Sequence, residues 1–486
     1  MMSGMNPLER LPPELVLRIV DHIPVPSLAS ATRACKGWHQ FIDGVHVDAI
    51  YEKKISKPIG SKDFSFLNRT TSFAKYYESV QSWKDLCKRQ VLLQRNWQAA
   101  QPMTTESVAQ VLNDPVWRFR PDFKRRFIVS TSQAGGLHVT DMDDGRLLWS
   151  LPSTLRTVAE AVRPYAHLEY DDGMAVFDRE GDALEVWQAD EEPDKRGAFH
   201  RIAILPHDCQ TRGFQLSHGM LCVASSQGKG FVYDASTADI RQIRQIDIEH
   251  GAVGHLYQDA DVVLFSMGSA GYHFFDKRSG QLLGALDPRH CAPGNRHHIK
   301  HPSRASSPTP TVRHGPTARL FPAQTPRKDR LVPLHVEAGQ LPASMRPEDP
   351  SPEDEWGAGM LDGNLFVGYS RAGRVFVCCD WRRALTSKEA LDANSTIIEC
   401  QSDGSSFDLG GWLSVKDHRI MFEIQDRIYV VALDDDDRLR DIGHAKRPSF
   451  SLFTSSAPQL VVPISFMCLY DDCIMTTYTV SLRPGV

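Results

Sequence analysis

Apolar residues recur every four positions near the start of the chain. Pro12 and Pro13 suit the first turn of a helix, because the N–H groups that proline lacks have no partner there. A second segment opens at Pro26, with apolar positions three and four residues apart. The positions of the two segments are Leu11, Leu15, Ile19 and Ile23, then Leu28, Ala31, Cys35, Trp38 and Ile42. Helices this short bury too little surface to be stable alone. They therefore pack on a neighbour or present an apolar stripe to a partner.

The next stretch also has helical spacing, after an irregular part near Pro58 to Thr71. Its apolar positions are Phe73, Tyr76, Tyr77, Val80, Trp83, Leu86, Val91 and Leu93. We interpret 6–55 and 56–102 as two helical regions, the second linking the first to the remainder of the chain.

From about Val116 the pattern changes to short β-rich runs separated by Asp-Gly and Gly, which predicts an all-β region over 103–486. Two copies of D-x-x-x-G-x-L-L-x-x-L begin at Asp141 and Asp276, 135 residues apart, which equals three periods of 45. A period of ~40–45 residues with four strands each is typical of a β-propeller. A β-sandwich is the alternative fold, but sandwiches do not repeat at this period.

We expect about seven blades, one for each run that resembles an innermost strand. The innermost strands are predicted near 116–121, 164–170, 212–217, 253–258, 357–361, 411–416 and 463–469. The last repeat is incomplete, so ring closure needs a strand from elsewhere. Thr104 to Leu112 lies just before the first blade and is our candidate for that strand.

The segment 287–355 interrupts the repeats. It is rich in Pro, Ser, Arg and His, shows almost no β-pattern, and is predicted to be a disordered insertion that folding does not require. It contains Ser-Pro and Thr-Pro dipeptides that proline-directed kinases use. Five potential metal ligands also cluster in it, but nothing nearby holds them rigid, so no metal site is predicted. These residues are His290, Cys291, His297, His298 and His301.

Composition and sequence motifs argue against several classes of function. A formal net charge of -5 and a pI near 6.4 argue against a nucleic-acid-binding face. The longest mostly apolar run, Leu460 to Tyr470, is too short to cross a membrane. Ten scattered cysteines and no signal-like start favour reduced thiols in a cytoplasmic or nuclear protein. The sequence contains no catalytic motif, and no cofactor is predicted.

The first segment resembles the F-box. The pattern L-P-x-E-L-x-x-x-I begins at Leu11, P-x-x-L follows at Pro26 and C-K-x-W at Cys35. The resemblance implies docking onto the Skp adaptor of a cullin-type ubiquitin ligase, with Trp38 packed beneath the interface. The contact residues implied are Leu11, Pro12, Leu15, Ile19 and Leu28. The alternative is an ordinary helical hairpin packed on its own domain.

The rest of the chain is similar to F-box proteins that carry WD-repeat propellers. Their helical linker has a comparable W-K-x-L-C, here from Trp83, and a terminal N-W, here ending at Trp97. The tryptophan of the usual W-D is replaced, so the repeats are degenerate; Thr140, Tyr233, Phe275 and Cys379 stand in its place. The expected fold is therefore a small all-α F-box and helical linker, followed by an all-β propeller of degenerate WD-like blades.

The resulting hypothesis is a non-catalytic adaptor that binds a Skp-type protein, through it a cullin, and a protein substrate. Arg163 and Arg212 precede predicted innermost strands and are our candidates for substrate contact. If the substrate is phosphorylated, a bidentate arginine–phosphate contact is the expected mechanism. Two alternatives remain open: an F-box scaffold outside a ligase, and a propeller that is an enzyme or binds a small ligand.

Overall fold

A computed structural model describes most of the chain. The described residues are 7–55, 63–69, 72–99, 102–104, 111, 116–132, 136–152, 167–179, 183–248, 255–300, 331–342, 354–400, 412–424, 427–439, 448–453 and 466–477. The chain divides into two compact units. The helical unit comprises Met1–Pro102 with Asp471–Cys473, and the β unit comprises Met103–Tyr470 with Ile474–Val486. The sequence pattern alone had placed Asp471–Cys473 in the β region.

Short helices form the helical unit. They are α1 Pro7–Arg10, α2 Pro13–Asp21, α3 Val25–Ala31, α4 Lys36–His39, α5 Val47–Glu52 and α6 Trp83–Gln98, with a π-helical turn Gln40–Val45 and a 3-10 helix Phe64–Arg69. Prolines occupy the first turns of α2 and α3, as predicted. The Ser82 hydroxyl caps α6 by accepting the N–H of Asp85 at 3.1 Å. The unit has its own core, whose buried members include Val16, Val20, Leu28, Ile42, Ile50, Trp83 and Leu86.

The helical spacing seen before Trp83 was misleading, because residues 73–79 form turns. Lys75 and Ser79 have positive φ angles of 54° and 68°, which a helix does not allow. The cause is a tertiary contact within this unit. The Asp472 carboxylate accepts the N–H groups of Phe73 at 2.8 Å and Ala74 at 3.0 Å. A local periodicity cannot reveal a partner about four hundred residues away.

The β unit begins with regular four-stranded antiparallel sheets, in which each strand pairs with the next along the chain. The first two are β1 Val116–Asp122, β2 Phe127–Ser132, β3 Leu137–Asp141, β4 Leu147–Leu151 and β5 Leu168–Asp171, β6 Met174–Arg179, β7 Ala183–Ala189, β8 Phe199–Pro206. The next two are β9 Thr211–Ser217, β10 Met220–Ser225, β11 Lys229–Asp234, β12 Arg241–Asp247 and β13 Leu256–Gln258, β14 Val262–Ser266, β15 Tyr272–Asp276, β16 Leu282–Leu286.

The repeated D-x-x-x-G motif forms the turn between the third and fourth strands of a sheet. Gly145 and Gly280 donate their N–H groups to the carbonyls of Asp141 and Asp276, at 3.0 and 2.8 Å. Both glycines have φ angles near the left-handed region, 73° and 74°. Glycine adopts this conformation at little cost, so the repeat encodes a turn geometry.

The predicted disorder of 287–355 is wrong for its described parts. They contribute β17 Arg296–Lys300 and β18 Val332–Ala338, which pair with each other. β17 also pairs with β22 Ser395–Glu399, and β18 with β26 Ser449–Phe453. The two strands therefore join two four-stranded groups into one ten-stranded sheet. Replacing 287–355 by a short linker would remove both strands. Residues 301–330 and 343–353 lie outside the described residues.

The two groups joined in this way follow the same plan as the earlier sheets. They are β19 Trp356–Asp362, β20 Leu365–Ser370, β21 Arg374–Cys378, β22, and β23 Leu413–Lys416, β24 Arg419–Ile424, β25 Arg427–Ala432, β26. Helices α7 Trp381–Ala384 and α8 Lys388–Asn394 lie between β21 and β22. Here Asp380 does not end a strand as predicted. It caps α7 instead, and its carboxylate accepts the N–H of Arg383.

The first strands of the successive sheets follow one another in space: β1, β5, β9, β13, β19 and β23 each contact the next. The final hairpin, β27 Met467–Leu469 and β28 Ile474–Thr476, contacts β23 through β27. Phe466 then returns to Phe119 on β1, with ring centroids 5.1 Å apart. Every predicted innermost strand is present, and the unit is all-β and propeller-like. The blade number stays a prediction, since most of Thr104 to Leu112 lies outside the described residues.

Candidate functional site

Helix α2 has two apolar faces that point in different directions. Val16 and Val20 are buried in the core of the helical unit, one turn apart. Leu15 and Ile19, also one turn apart, remain 45% and 48% exposed. Because i and i+4 lie on one side of a helix, the exposed pair forms a single apolar patch. We call Leu15 and Ile19 the α2 patch.

The remaining predicted contact residues are divided between surface and core. Pro12 is exposed beside the α2 patch, and Leu11 is half-buried. Trp38 is half-buried and lies edge-on to Phe41, against the core of the helical unit, and its role beneath the adaptor interface stays a prediction. Leu28 is fully buried, so its assignment as a contact residue is corrected. It packs in the same core as Val16 and Val20, because α3 turns its one large aliphatic side chain inward.

Two lysines hold the C-terminal end of α2. Lys53 forms an ion pair with Asp21 at 2.7 Å. The Lys54 ammonium donates to the carbonyl oxygens of Val20 at 3.0 Å and Asp21 at 2.5 Å. A cation at this position satisfies terminal carbonyls and opposes the negative end of the helix dipole. The orientation of the α2 patch is therefore set by the unit itself.

The structure describes one of the two candidate substrate arginines. Arg212 lies on β9 and is exposed. Arg163 lies outside the described residues. The innermost strands instead bring together two other arginines that the sequence pattern did not single out, Arg118 and Arg120.

Arg118 and Arg120 occupy positions i and i+2 of β1 and share one carboxylate on β5. Arg120 donates through Nη2 to both oxygens of Glu169, at 2.8 and 2.7 Å. Arg118 donates through Nη1 to Glu169 Oε1 at 3.2 Å and contacts His167 Nε2 at 2.7 Å. We call Arg118, Arg120, His167 and Glu169 the inner cluster. It lies on adjacent innermost strands, the strands that surround the centre of a propeller.

Aromatic rings enclose the inner cluster. The Arg118 guanidinium carbon lies 4.6 Å from the centroid of Trp412, and that of Arg120 lies 4.7 Å from the centroid of Phe466. His167 packs on Phe214 with centroids 4.4 Å apart. Cation–π contacts of this kind strengthen when water is excluded. The arginines are thereby held in a fixed plane.

Burial and charge shift the titration of the inner cluster. Burial lowers the pKa of Arg118 to about 10, although Glu169 opposes this shift. Burial alone would raise the pKa of Glu169, but the charge of Arg120 and the bond to His167 lower it to about 2. Burial and the nearby charge of Arg118 lower the pKa of His167 to about 4. At neutral pH the cluster therefore contains two cations, one anion and a neutral imidazole.

A signal for the inner cluster was present in the sequence. Arg118 and Arg120, and likewise His167 and Glu169, alternate with apolar residues inside predicted innermost strands. Charged residues on strands expected to be buried are unusual and often functional. The link between the two pairs could not be read from the sequence, because they come together only when neighbouring sheets pack.

Other chemical candidates gain no support. No group of three or more His, Cys, Asp or Glu side chains suited to a metal occurs among the described residues, and His301 lies outside them. Cys291 is buried against the Ser395 hydroxyl, 3.4 Å away. Within the described part of the chain, no helix is long and apolar enough to cross a membrane.

Comparison with known proteins bears on both units. A family model described as F-box-like matches residues 8–47, which include the α2 patch and Trp38. A search of curated protein sequences gave no significant match. Residues 8–47 thus carry an F-box-like domain.

Similar solved structures align at low identity. The β-propeller domain of Cps50 (Swd1) from Myceliophteria thermophila is 8% identical, with 77% of this chain and 96% of that chain covered and a TM-score of 0.41. The computationally designed Ika8 protein is 14% identical, covering 71% and 98%, with a TM-score of 0.37. BamB from Moraxella catarrhalis is 12% identical, covering 68% and 72%, with a TM-score of 0.35. The chain thus combines an F-box-like domain with an all-β, propeller-like unit whose assignment rests on its sheet topology.

Proposed function

We propose that this protein is the substrate-binding subunit of a cullin-type ubiquitin ligase. The F-box-like domain binds a Skp-type adaptor, and the β unit binds a protein substrate. The observation that carries the proposal is the exposed α2 patch inside the matched residues 8–47. An apolar pair held outward on a fixed helix suits a partner that removes it from water.

The proposed subunit performs no chemistry. It brings a bound protein close to the transferring subunits, which raises the effective concentration of the substrate and restricts its orientation. The architecture supports this division of work, because each unit has its own core and the apolar patch and the inner cluster lie in different units. An F-box scaffold outside a ligase shares the adaptor contact but lacks the ubiquitin-transfer step.

The test is the affinity of the full chain for a purified Skp-type adaptor. Leu15 and Ile19 are replaced together by alanine. A fully buried aliphatic side chain contributes roughly 1.5–3 kcal/mol, and these two are already about half-buried, so we expect a loss of about 1.5–3 kcal/mol for the pair. That loss corresponds to roughly ten- to a hundredfold weaker binding.

The matched control is Leu92→Ala, which truncates another aliphatic side chain of the helical unit that is 43% exposed. Leu92 lies outside residues 8–47, so this variant should bind the adaptor like the wild type. Wild-type affinity of the double variant would refute the adaptor assignment. Adaptor binding without ubiquitin transfer to any co-purified protein in a reconstituted ligase would favour the scaffold alternative.

A further inference from the structure

The Arg118 guanidinium has hydrogen-bond donors that no residue in the described part of the chain accepts. A guanidinium carries five N–H donors. In Arg118 the Nη1 group serves both His167 and Glu169. Among the described residues neither Nε nor Nη2 has an acceptor, although Nε is buried. The side chain as a whole is only 11% exposed, so bulk water does not replace the missing partners freely.

The unused atoms form one edge of the guanidinium. Nε and Nη2 point the same way and match the two oxygens of a planar oxyanion, as in a bidentate arginine–carboxylate pair. Stacking on Trp412 and proximity to Phe466 fix the plane of Arg118, at 4.6 and 5.5 Å from the two centroids. The opposite side is occupied by Glu169. The plane of this edge is therefore fixed before a ligand binds. Because Nε is covered, a ligand reaches both donors only after it displaces the groups that cover Nε.

Charge indicates which oxyanion fits. Among the residues that the structure describes, the two arginines contact only one carboxylate directly, so these contacting groups carry one excess positive charge. Asp178 is a more distant counter-charge that accepts the backbone N–H of His167 at 3.1 Å, and the pKa of Arg118 is still lowered to about 10. A monoanion balances this excess. A phosphate group, with a charge of about -1.5 to -2, would place surplus negative charge beside Glu169.

We infer that the Nε–Nη2 edge of Arg118 binds one carboxylate from an acidic segment of the captured protein, and this inference rests on the proposed role of the β unit in substrate binding. The carboxylate accepts two parallel hydrogen bonds in the plane of the guanidinium. Arg120 and Glu169 hold Arg118 in position and do not themselves need to move. The recognised group is thus an acidic side chain or a chain-terminal carboxylate, without phosphorylation.

The experiment measures binding of three labelled pentapeptides to the full chain by fluorescence polarisation. The peptides are Gly-Gly-X-Gly-Gly with X as glutamate, glutamine or phosphoserine, and their C-termini are amidated so that the side chain at X is the group that differs in charge. We expect the glutamate peptide to bind at least about tenfold more tightly than the glutamine peptide, because charge-assisted hydrogen bonds are the stronger ones. Equal binding of these two, or tightest binding of the phosphoserine peptide, would overturn the carboxylate assignment. This comparison uses only the wild-type protein.

Two substitutions at Arg118 locate the site. Arg118→Gln removes the charge, and Arg118→Lys keeps it while removing the planar edge. Both should weaken binding of the glutamate peptide about ten- to a hundredfold. Arg278→Gln, at a side chain that is 88% exposed, should have no effect. Unchanged binding in the Arg118→Lys variant would show that the edge is not the site.

Separate variants test the carboxylate inference and the proposed adaptor function, so one can be refuted while the other stands. The Leu15→Ala and Ile19→Ala double variant should keep wild-type peptide binding, and Arg118→Lys should keep wild-type adaptor binding. Loss of adaptor binding alone bears on the α2 patch. Loss of glutamate selectivity alone bears on Arg118.

Discussion

The two units depart from the usual distribution of residues in opposite ways. The helical unit leaves the aliphatic α2 patch exposed, whereas the β unit buries the charges of its inner cluster, with Glu169 only 5% exposed. An exposed aliphatic pair costs the folded unit little, because the part of its surface that stays in water is also in water in the unfolded chain. A buried charge loses hydration on folding and must be compensated. The comparison predicts that truncating the α2 patch costs little folding stability, whereas removing the shared carboxylate of the inner cluster costs considerably more.

The largest expected effect on stability is that of Glu169→Gln, which removes the carboxylate of the inner cluster. The substitution leaves two buried guanidiniums without their carboxylate, so we expect the unfolding free energy of the β unit to fall by about 3–5 kcal/mol. Urea unfolding followed by tryptophan fluorescence measures the change. Glu191→Gln is the control: Glu191 pairs with Arg125 at 2.6 Å but is 73% exposed, so its loss should cost no more than about 1 kcal/mol. Equal effects would mean that the inner cluster behaves as a surface ion pair.

A second prediction concerns pH. Burial, reinforced by Arg118, lowers the pKa of His167 and of His255 from 6.5 to about 4 in the folded protein. Between these values the unfolded chain binds the protons and the folded chain does not. The contribution of the two neutral histidines to the free energy of unfolding is therefore complete above pH 6.5 and is lost as the pH falls toward 4. Each histidine should add roughly 1.4 kcal/mol per pH unit to the slope.

Urea midpoints measured at about pH 7, 6 and 5 test this slope. The double substitution of His167 and His255 by glutamine should flatten it. His200→Gln, which removes an exposed histidine paired with Asp190, should leave it as in the wild type. An unaltered slope in the double variant would place the acid sensitivity elsewhere in the protein.

The smallest expected effect on stability is that of truncating the exposed α2 patch. Leu15→Ala with Ile19→Ala should lower the unfolding free energy of the helical unit by only about 0.5–1 kcal/mol per residue, because about half of each side chain stays in water. Val16→Ala and Val20→Ala, on the buried face of the same helix, should each cost about 1–3 kcal/mol. Chemical denaturation of the four single variants and the double variant decides the matter. A large loss for the outward pair would show that it supports the fold.

The sequence was most informative where structure depends on neighbours along the chain. Prolines and apolar spacing placed α2, and each predicted innermost strand has a counterpart within the described residues. The repeated D-x-x-x-G motif was correctly identified as a recurring unit, since its turn is closed by a local hydrogen bond. For the same local reason, residue spacing alone is enough to single out Leu15 and Ile19 as an apolar pair on one side of a helix.

The sequence was misleading where composition hid a strand. β18 places half-buried Val332 and buried Leu334 and Val336 at alternate positions, yet prolines and charges around it favoured disorder. Its partners lie in β17 and β26, so nothing local signals the pairing. Leu28 was misassigned for a similar reason, because the pattern identifies an apolar position without telling which surface it covers.

Sequence alone thus determined the order of elements, the F-box resemblance and the repeat, all of which depend on spacing over a few residues. Only the tertiary structure determined that Leu28 is buried, that the Asp472 carboxylate accepts the N–H of Phe73, and that Arg118 donates to Glu169. Each of these joins side chains from separate elements whose energies depend on burial and distance. These interaction energies exist only after the chain has folded. The environment of the Arg118 edge that we assign to a carboxylate depends on the tertiary structure for the same reason.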